Sequence, residues 1–323
     1  MKRLAGALLF VALVLTGCST VSMTTIPIVP AQEPVPGGAA PATASTAPAA
    51  QNCGDLLASY RPPSPMPSPG QMPAGSTMAK IQQRGKLIVG VDQNTLNMGF
   101  RDPFTGQIQG FDIDMARAVA QALFGDPDAI QLRALTSDQR IPALQNGDVD
   151  IVVRTMTITC DRAKQVNFSS VYYEAQQRIL VRRNSGITGS AQLAGRKVCA
   201  TKGSTSLAAV QALPAKPVAV GVADWTDCLL MLQQGQVDAV STDDVILAGM
   251  AAQDRYTEVV GDSLGPQPYG IAIPLQNTDM VGFVNGVLER VRANGTWTAS
   301  YGKWLGGLLP GATPAPPAPR YRS

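Results

Sequence analysis

Beyond residue 86 the apolar positions fall into short continuous runs, separated by stretches in which they recur three and four residues apart. The run Leu87-Ile88-Val89-Gly90-Val91 has the length of a strand, and its lack of alternation predicts burial on both faces. Phe111 to Leu123 carries helical spacing, with Asp112 and Asp114 near its start, where carboxylates cap a helix and complement its dipole. Further strands are predicted near Ile130 to Ala134, Val149 to Val153, Arg178 to Val181, Lys197 to Ala200, Val218 to Val220 and Val237 to Val240, with helices between most of them. Alternation of this kind argues for parallel α/β sheets.

One stretch repeats. Leu144-Gln145-Asn146-Gly147-Asp148-Val149-Asp150-Ile151-Val152 returns 88 residues later as Leu232-Gln233-Gln234-Gly235-Gln236-Val237-Asp238-Ala239-Val240. Each copy reads as a helix end, a glycine stop and a strand. Polar residues follow both strands: Arg154, Thr155, Thr157 and Thr159 after the first, Ser241, Thr242, Asp243 and Asp244 after the second. Open parallel sheets bind ligands beyond the carboxyl ends of their strands, so the echo suggests two similar lobes that face each other with polar strand ends.

The two ends of the chain follow other rules. Lys2 and Arg3 precede a 12-residue apolar run from Leu4 to Leu15, too short to span a membrane and of the length of a signal-peptide core. The run closes on Leu15-Thr16-Gly17-Cys18, which resembles a bacterial lipobox; cleavage after residue 17 would leave Cys18 diacylated and the protein anchored to the outer face of the cell membrane. Of 25 prolines, 12 lie between Pro27 and Pro73 and five between Pro310 and Pro319, so residues 18–77 read as a Pro/Ala/Thr-rich tether and 308–323 as a disordered tail.

Composition narrows the chemistry. Among its 323 residues the chain has no His, which excludes Ser-His-Asp and Cys-His catalysis and any imidazole proton shuttle. A net charge of +3, with no basic cluster longer than Arg182-Arg183, provides no footprint for nucleic acid. Cys53, Cys160, Cys199 and Cys228 remain after lipidation, an even number in an exported chain, and no Cys-x-x-Cys spacing favours zinc; neither a metal nor a cofactor is expected. Three connectivities are open to four thiols. Cys199 and Cys228 lie close together in one lobe, and Cys53, which precedes the body, can be pinned onto it only by Cys160, so the expected pairs are Cys199–Cys228 and Cys53–Cys160.

Nine short segments, in order, carry a resemblance: Gly110-Phe111-Asp112-Ile113-Asp114, Arg140-Ile141-Pro142-Ala143-Leu144, Val149-Asp150-Ile151-Val152, Met156-Thr157-Ile158-Thr159 with Arg162, Phe168-Ser169 before Tyr172-Tyr173, Gly203-Ser204-Thr205-Ser206, Tyr269-Gly270-Ile271-Ala272, Asn294-Gly295-Thr296-Trp297 and Lys303-Trp304. Together they resemble the polar amino-acid family, family 3, of extracellular solute-binding proteins of ABC transporters, and most of all actinobacterial glutamine- and glutamate-binding lipoproteins. The resemblance implies a type II periplasmic-binding-protein fold: two α/β lobes joined by two crossing strands, with lobe one at 78–176 plus 268–307 and lobe two at 177–267. It also implies a monomeric receptor without enzymatic activity that closes on an amino acid and docks to a membrane permease. A sensor that signals to a membrane partner uses the same closed state and stays open as an alternative. A dehydratase or transglycosylase on the same fold would need a carboxylic acid poised at the ligand, and Glu174 and Glu258, the main glutamates of the body, match no pocket position.

An α-amino acid needs a cation and N–H groups for its carboxylate, and an anion with hydroxyl or carbonyl acceptors for its ammonium. Arg162 offers a planar fork for the first task, and the helix opening at Gly203-Ser204-Thr205-Ser206 offers N–H groups from the other lobe, with Lys202 beside it. By resemblance Asp243 takes the ammonium, assisted by Thr155 and Thr157. The distal positions match Thr95 and Ser137 where family members with neutral or cationic ligands often carry aromatics. Ser137 and Arg140 match the pair that binds a side-chain carboxylate in acidic amino-acid receptors, so glutamate or aspartate is expected ahead of glutamine or asparagine. Arg154 is a second candidate cation. Asp92 stands where such receptors carry an arginine and could instead orient Arg140 or Arg154.

Overall fold

The computed structural model describes residues 34–42, 53–309 and 315–322. The chain divides into Met1–Pro34 and a compact unit, Val35–Ser323, to which all that follows refers. The signal peptide, the lipobox and Cys18 lie outside the described residues. Among the described residues no helix is long and apolar enough to cross a membrane.

Two mixed sheets organise the unit. The first has five strands in the order Ile130–Ala134, Leu87–Val91, Ile151–Val152, Ala272–Pro274, Val166–Phe168. Its first three strands are parallel and its last two antiparallel. The second runs Ala40–Pro41, Val218–Val222, Lys197–Thr201, Ala239–Asp243, Tyr173–Arg182, Thr257–Val260, with Pro266–Tyr269 also paired to Tyr173–Arg182. The alternation in the sequence anticipates the parallel centre of each sheet and, near Arg178 to Val181, part of the antiparallel strand Tyr173–Arg182, but misses Val166–Phe168, Thr257–Val260, Pro266–Tyr269 and Ala272–Pro274. The chain passes between the sheets twice. Tyr173–Arg182 carries it across and Pro266–Tyr269 brings it back alongside, with Tyr173 opposite Tyr269 and Gln176 opposite Pro266. These are the two crossing strands of a two-lobe type II fold.

The echo occupies equivalent places in the two sheets. Arg140–Gln145 and Trp225–Gln233 are helices, Gly147 (φ 71°) and Gly235 (φ 75°) turn the chain in the left-handed region, and the strands Ile151–Val152 and Ala239–Asp243 follow. In the chain between Leu87–Val91 and the edge strand Ile130–Ala134 lies the helix Phe111–Phe124, which buries Phe111, Ile113, Met115, Val119 and Leu123. Its start is fixed by Gly110, at φ 135°, whose missing Cβ is what lets it approach the Met98 carbonyl. Asp112 and Asp114 cap nothing: the N-cap makes no side-chain bond, and both carboxylates instead reach other elements, Asp114 accepting from Ser300 Oγ and Trp304 Nε1 at 2.7 Å each. Tertiary donors outcompete the local ones.

Part of the expected tether and tail is packed on the body. Ala40–Pro41 pairs with the edge strand Val218–Val222. Cys53 is bonded to Cys160 and Cys199 to Cys228, the two expected pairs. Ser59 donates to the Phe168 carbonyl at 2.7 Å, and the chain around it bridges to Tyr321 near the C-terminus through Ser59 N–H to the Arg320 carbonyl and Arg322 N–H to the Ser59 carbonyl, both 2.9 Å. Buried Asn285, on the helix Thr278–Ala293, donates to Ser59 Oγ and the Tyr60 carbonyl and accepts from Ser170 N–H. Gly282 and Gly286 flank it and leave room for Arg61 and Met66 to lie directly on the helix. A Pro-rich chain cannot join a ladder freely, yet a disulfide, one buried amide and two bare helix positions hold it in place.

Candidate functional site

The polar ends of the two echo strands meet at one small cavity. From the first sheet and the turns after it come Ser137, Arg140, Thr155 and Arg162; from the second come Ser204, Thr205, Ser206, Trp225, Asp243 and Ile246. Six residues picked out in the sequence, Ser137, Arg140, Thr155, Arg162, Thr205 and Asp243, therefore line a single space. Larger open grooves exist, such as the one between Phe111–Phe124 and the C-terminal helices, but the small cavity is lined by buried charges of both signs, Arg140, Arg162 and Asp243.

Arg162 sits in the short helix Cys160–Ala163, capped by Thr159, and donates to the Thr157 carbonyl at 2.8 Å and across the cleft to the Gly203 carbonyl at 3.0 Å. Burial pushes its guanidinium down to about 10, with Asp243 opposing the shift. Arg140 donates to the carbonyls of Ser137, Arg154 and Thr155 and, at 3.3 Å, to the same Gly203 carbonyl. Burial, then the charges of Arg162 and Arg154, hold it well below the ordinary arginine range. Gly203, at φ 72°, is the residue both arginines reach, and a Cβ there would lie 2.6 Å from Asp138 Cα on the facing turn. Just beyond it the helix Thr205–Ala212 begins, capped by Ser204, and its first residues, Thr205 and Ser206, line the cavity.

Asp243 ends the strand Ala239–Asp243 and faces the arginines. Its Oδ2 accepts from Tyr269 OH at 2.5 Å, while its Oδ1 is buried without a hydrogen-bond partner. Burial pushes its carboxyl up to about 7, against the Tyr269 hydrogen bond, which lowers it. A buried acceptor left open beside a cavity has unmet demand for a donor, and a cation satisfies it best. Thr157 stands one step back: it donates to Gln267 Oε1 at 2.8 Å, which Thr205 also approaches at 3.0 Å, so a glutamine on the return strand ties the two sides together.

Three other expected site residues sit differently. Arg154 is fully buried beside the cavity, ion-paired with Asp92 at 3.0 Å and bonded to the Leu135 carbonyl and to Ser137 Oγ. Asp92, which also accepts from Thr95 Oγ1, thus orients Arg154 and not Arg140. Lys202 leaves the site altogether: its ammonium turns outward to the Gly38 carbonyl, 2.6 Å away on the packed N-terminal segment. The sequence gives no sign of Trp225 and Ile246, apolar residues on helices, nor of Gln267. Tyr269 is part of a quoted motif, though only the fold puts its hydroxyl on Asp243.

Residues 87–307 match the model of the bacterial extracellular solute-binding proteins, family 3. The chain is 37% identical over 230 residues to the ABC transporter glutamine-binding protein GlnH of Bacillus subtilis, covering 71% of this chain and 84% of that one. It is 29% identical over 245 residues to the glutamate-binding protein GluB of Corynebacterium efficiens, covering 71% and 81%. Among solved structures, an ancestral arginine-binding protein bound to glutamine superposes with a TM-score of 0.64 at 35% identity, covering 69% of this chain and 99% of the other.

Proposed function

The chain belongs to the bacterial extracellular solute-binding proteins of family 3, and from that premise we propose that it is a receptor for an acidic amino acid, glutamate or aspartate, which it hands to an ABC permease. The observation that carries this reading is the charge of the cavity wall: two buried guanidiniums, Arg140 and Arg162, and one buried carboxylate, Asp243, with an unpartnered oxygen. Arg154 adds nothing to the balance because Asp92 neutralises it. The residues that line the cavity thus carry an excess of one positive charge, which favours a ligand with an excess of one negative charge; Asp112, buried behind Thr155 and outside the lining, offsets part of that excess when ionised. In this reading Arg162 and the start of Thr205–Ala212 hold the α-carboxylate, Asp243 Oδ1 holds the α-ammonium near Thr155, and Arg140 with Ser137 holds the side-chain carboxylate. Lobe one, 78–176 plus 268–307, and lobe two, 177–267, close around it, and diacylated Cys18 keeps the receptor at the outer face of the membrane.

An amide ligand, glutamine or asparagine, is the second reading, favoured by the names of the glutamine-binding relatives. It leaves the Arg140 charge facing a neutral group, which costs more in a buried site than at a surface. A crystal structure grown with glutamate at pH 7.5 separates the two. The expected ligand lies with its ammonium on Asp243, its α-carboxylate on Arg162 and its side-chain carboxylate on Arg140. A ligand elsewhere, or one that leaves Arg140 untouched, overturns the acidic reading.

A further inference from the structure

Asp112 is fully buried in the first turn of Phe111–Phe124 and touches no part of the cavity itself. Its Oδ2 accepts from the backbone N–H of Thr155 at 2.9 Å, and its Oδ1 from Tyr172 OH at 2.7 Å. We propose that Asp112 is a positioning residue for ligand binding, holding the Thr155 turn, and through it Arg140, in the geometry that receives the ligand. The proposal rests on the reading of the cavity as an amino-acid site.

Thr155 shows why such a hold is needed. Its φ is 38°, a left-handed conformation that a β-branched residue adopts only when its surroundings impose it. In that conformation the successive carbonyls of Arg154 and Thr155 both reach Arg140 Nη1, at 3.2 and 3.4 Å, while Thr155 itself lines the cavity. The only side chain that receives the Thr155 N–H is Asp112. Asp112 is itself fixed from two sides. Its own N–H and that of Phe111 bond to the carbonyls of Met98 and Asn97, at 2.9 and 2.8 Å, and the Tyr172 carbonyl is held by Trp297 Nε1 at 2.8 Å. A rigid helix start thus transmits its position through one carboxylate to the strained turn, and through two carbonyls to the guanidinium.

The charge of Asp112 belongs to this hold, because a carboxylate accepts from an N–H about twice as strongly as a neutral group does. The groups that face it are Tyr172, Asp92 and Arg154. Burial pushes its carboxyl up to about 7, against the hydrogen bonds from Tyr172 and Thr155. Above that pH the charged form grips Thr155; below it the grip weakens and ligand binding follows. Asp243 titrates over the same range and loses its hold on the ammonium when protonated, so the pH response of the native protein combines the two groups. Substituting asparagine at 112 separates them. Its oxygen can accept from Thr155 and its amide can donate to Tyr172, with no charge to titrate.

Two readouts test the proposal on the full chain: calorimetric titration with glutamate between pH 6 and pH 8, and the Thr155 amide resonance in NMR without ligand. Asp112→Ala is expected to weaken glutamate about tenfold or more at pH 8, the loss of one charge-assisted bond. Asp112→Asn should weaken glutamate at pH 8 by less than Asp112→Ala does, because it keeps a neutral hydrogen bond to Thr155 and loses only the charge. It should also show a shallower fall in affinity toward pH 6. The native Thr155 amide should titrate with a midpoint near 7, and the Asp112→Asn amide should not. An unresponsive Thr155 amide, or pH profiles with the same slope in the native protein and Asp112→Asn, overturns the proposal, and both readouts remain should Asp112→Ala fail to fold. If the native protein binds no amino acid while Thr155 still follows Asp112, the functional reading falls and the contact stands.

Discussion

Arg162 and Arg140 share an acceptor, the Gly203 carbonyl, yet their surroundings assign them different work. Asp243 interacts more strongly with the charge of Arg162 than with that of Arg140, as expected of residues that handle the two groups common to every amino acid. Arg140 is set in carbonyls and has no carboxylate partner among its hydrogen bonds. Arg162→Ala should therefore cost about 3 to 5 kcal/mol with glutamate and glutamine alike, because it strands a buried charge on the ligand. Arg140→Ala should cost a comparable amount with glutamate and less with glutamine, about 1.5 to 3 kcal/mol, since an amide loses only a hydrogen bond to a charged group. Calorimetry with matched acid and amide reads the difference; equal losses in Arg140→Ala would remove it from specificity. The principal charged groups were legible in the sequence because Arg140 and Arg162 sit in quoted motifs and Asp243 lies at the polar end of the second echo strand. Asp112 was not: a carboxylate in a first helical turn has the signature of a cap, and only the fold shows its oxygens spent on Thr155 and Tyr172.

At the scale of elements, the runs Leu87–Val91, Lys197–Thr201 and Val218–Val222 announced themselves because buried parallel strands are continuously apolar. The return strand Pro266–Tyr269 did not, since two prolines in four residues argue against a strand; its ladder runs with Tyr173–Arg182, and on the other side it makes a single bridge, Tyr269 with Thr157, where Pro268 only accepts, from the Ile158 N–H at 2.8 Å. The turn at Gly203, after Lys197–Thr201, packs against Asp138 on the turn after Ile130–Ala134 of the other sheet. Any Cβ there meets Asp138, and an L-residue in the left-handed region costs roughly 1 to 2 kcal/mol in addition. Gly203→Ala is therefore expected to obstruct closure: glutamate affinity should fall at least tenfold, a loss of about 1.4 kcal/mol or more. Small-angle scattering at saturating glutamate should show a larger radius of gyration than the native complex. Native affinity and native compaction in this variant would mean that the contact with Asp138 yields easily.

For the molecule as a whole, the N-terminal segment is less a free tether than its prolines imply. It adds a strand to the second sheet at Ala40–Pro41 and lies along the first lobe from Cys53 to Met66, held by Asn285 and the Cys53–Cys160 bond. Composition could not reveal this, because the partners of the segment are an amide and two glycines more than 200 residues away. Cys18→Ala should abolish lipidation and leave the precursor uncleaved by the lipoprotein peptidase, read by the mass of the N-terminal peptide; a variant processed and membrane-bound like the parent would refute the anchor. The central claim, a cavity with one excess positive charge built for an acidic amino acid, is tested most directly by calorimetric titration of the native protein with each of the twenty amino acids at pH 7.5. Glutamate or aspartate should bind tightest, and the corresponding amide at least about tenfold more weakly, a difference of roughly 1.4 kcal/mol. Glutamine or asparagine binding as tightly as its acid, or no amino acid binding at all, would contradict it.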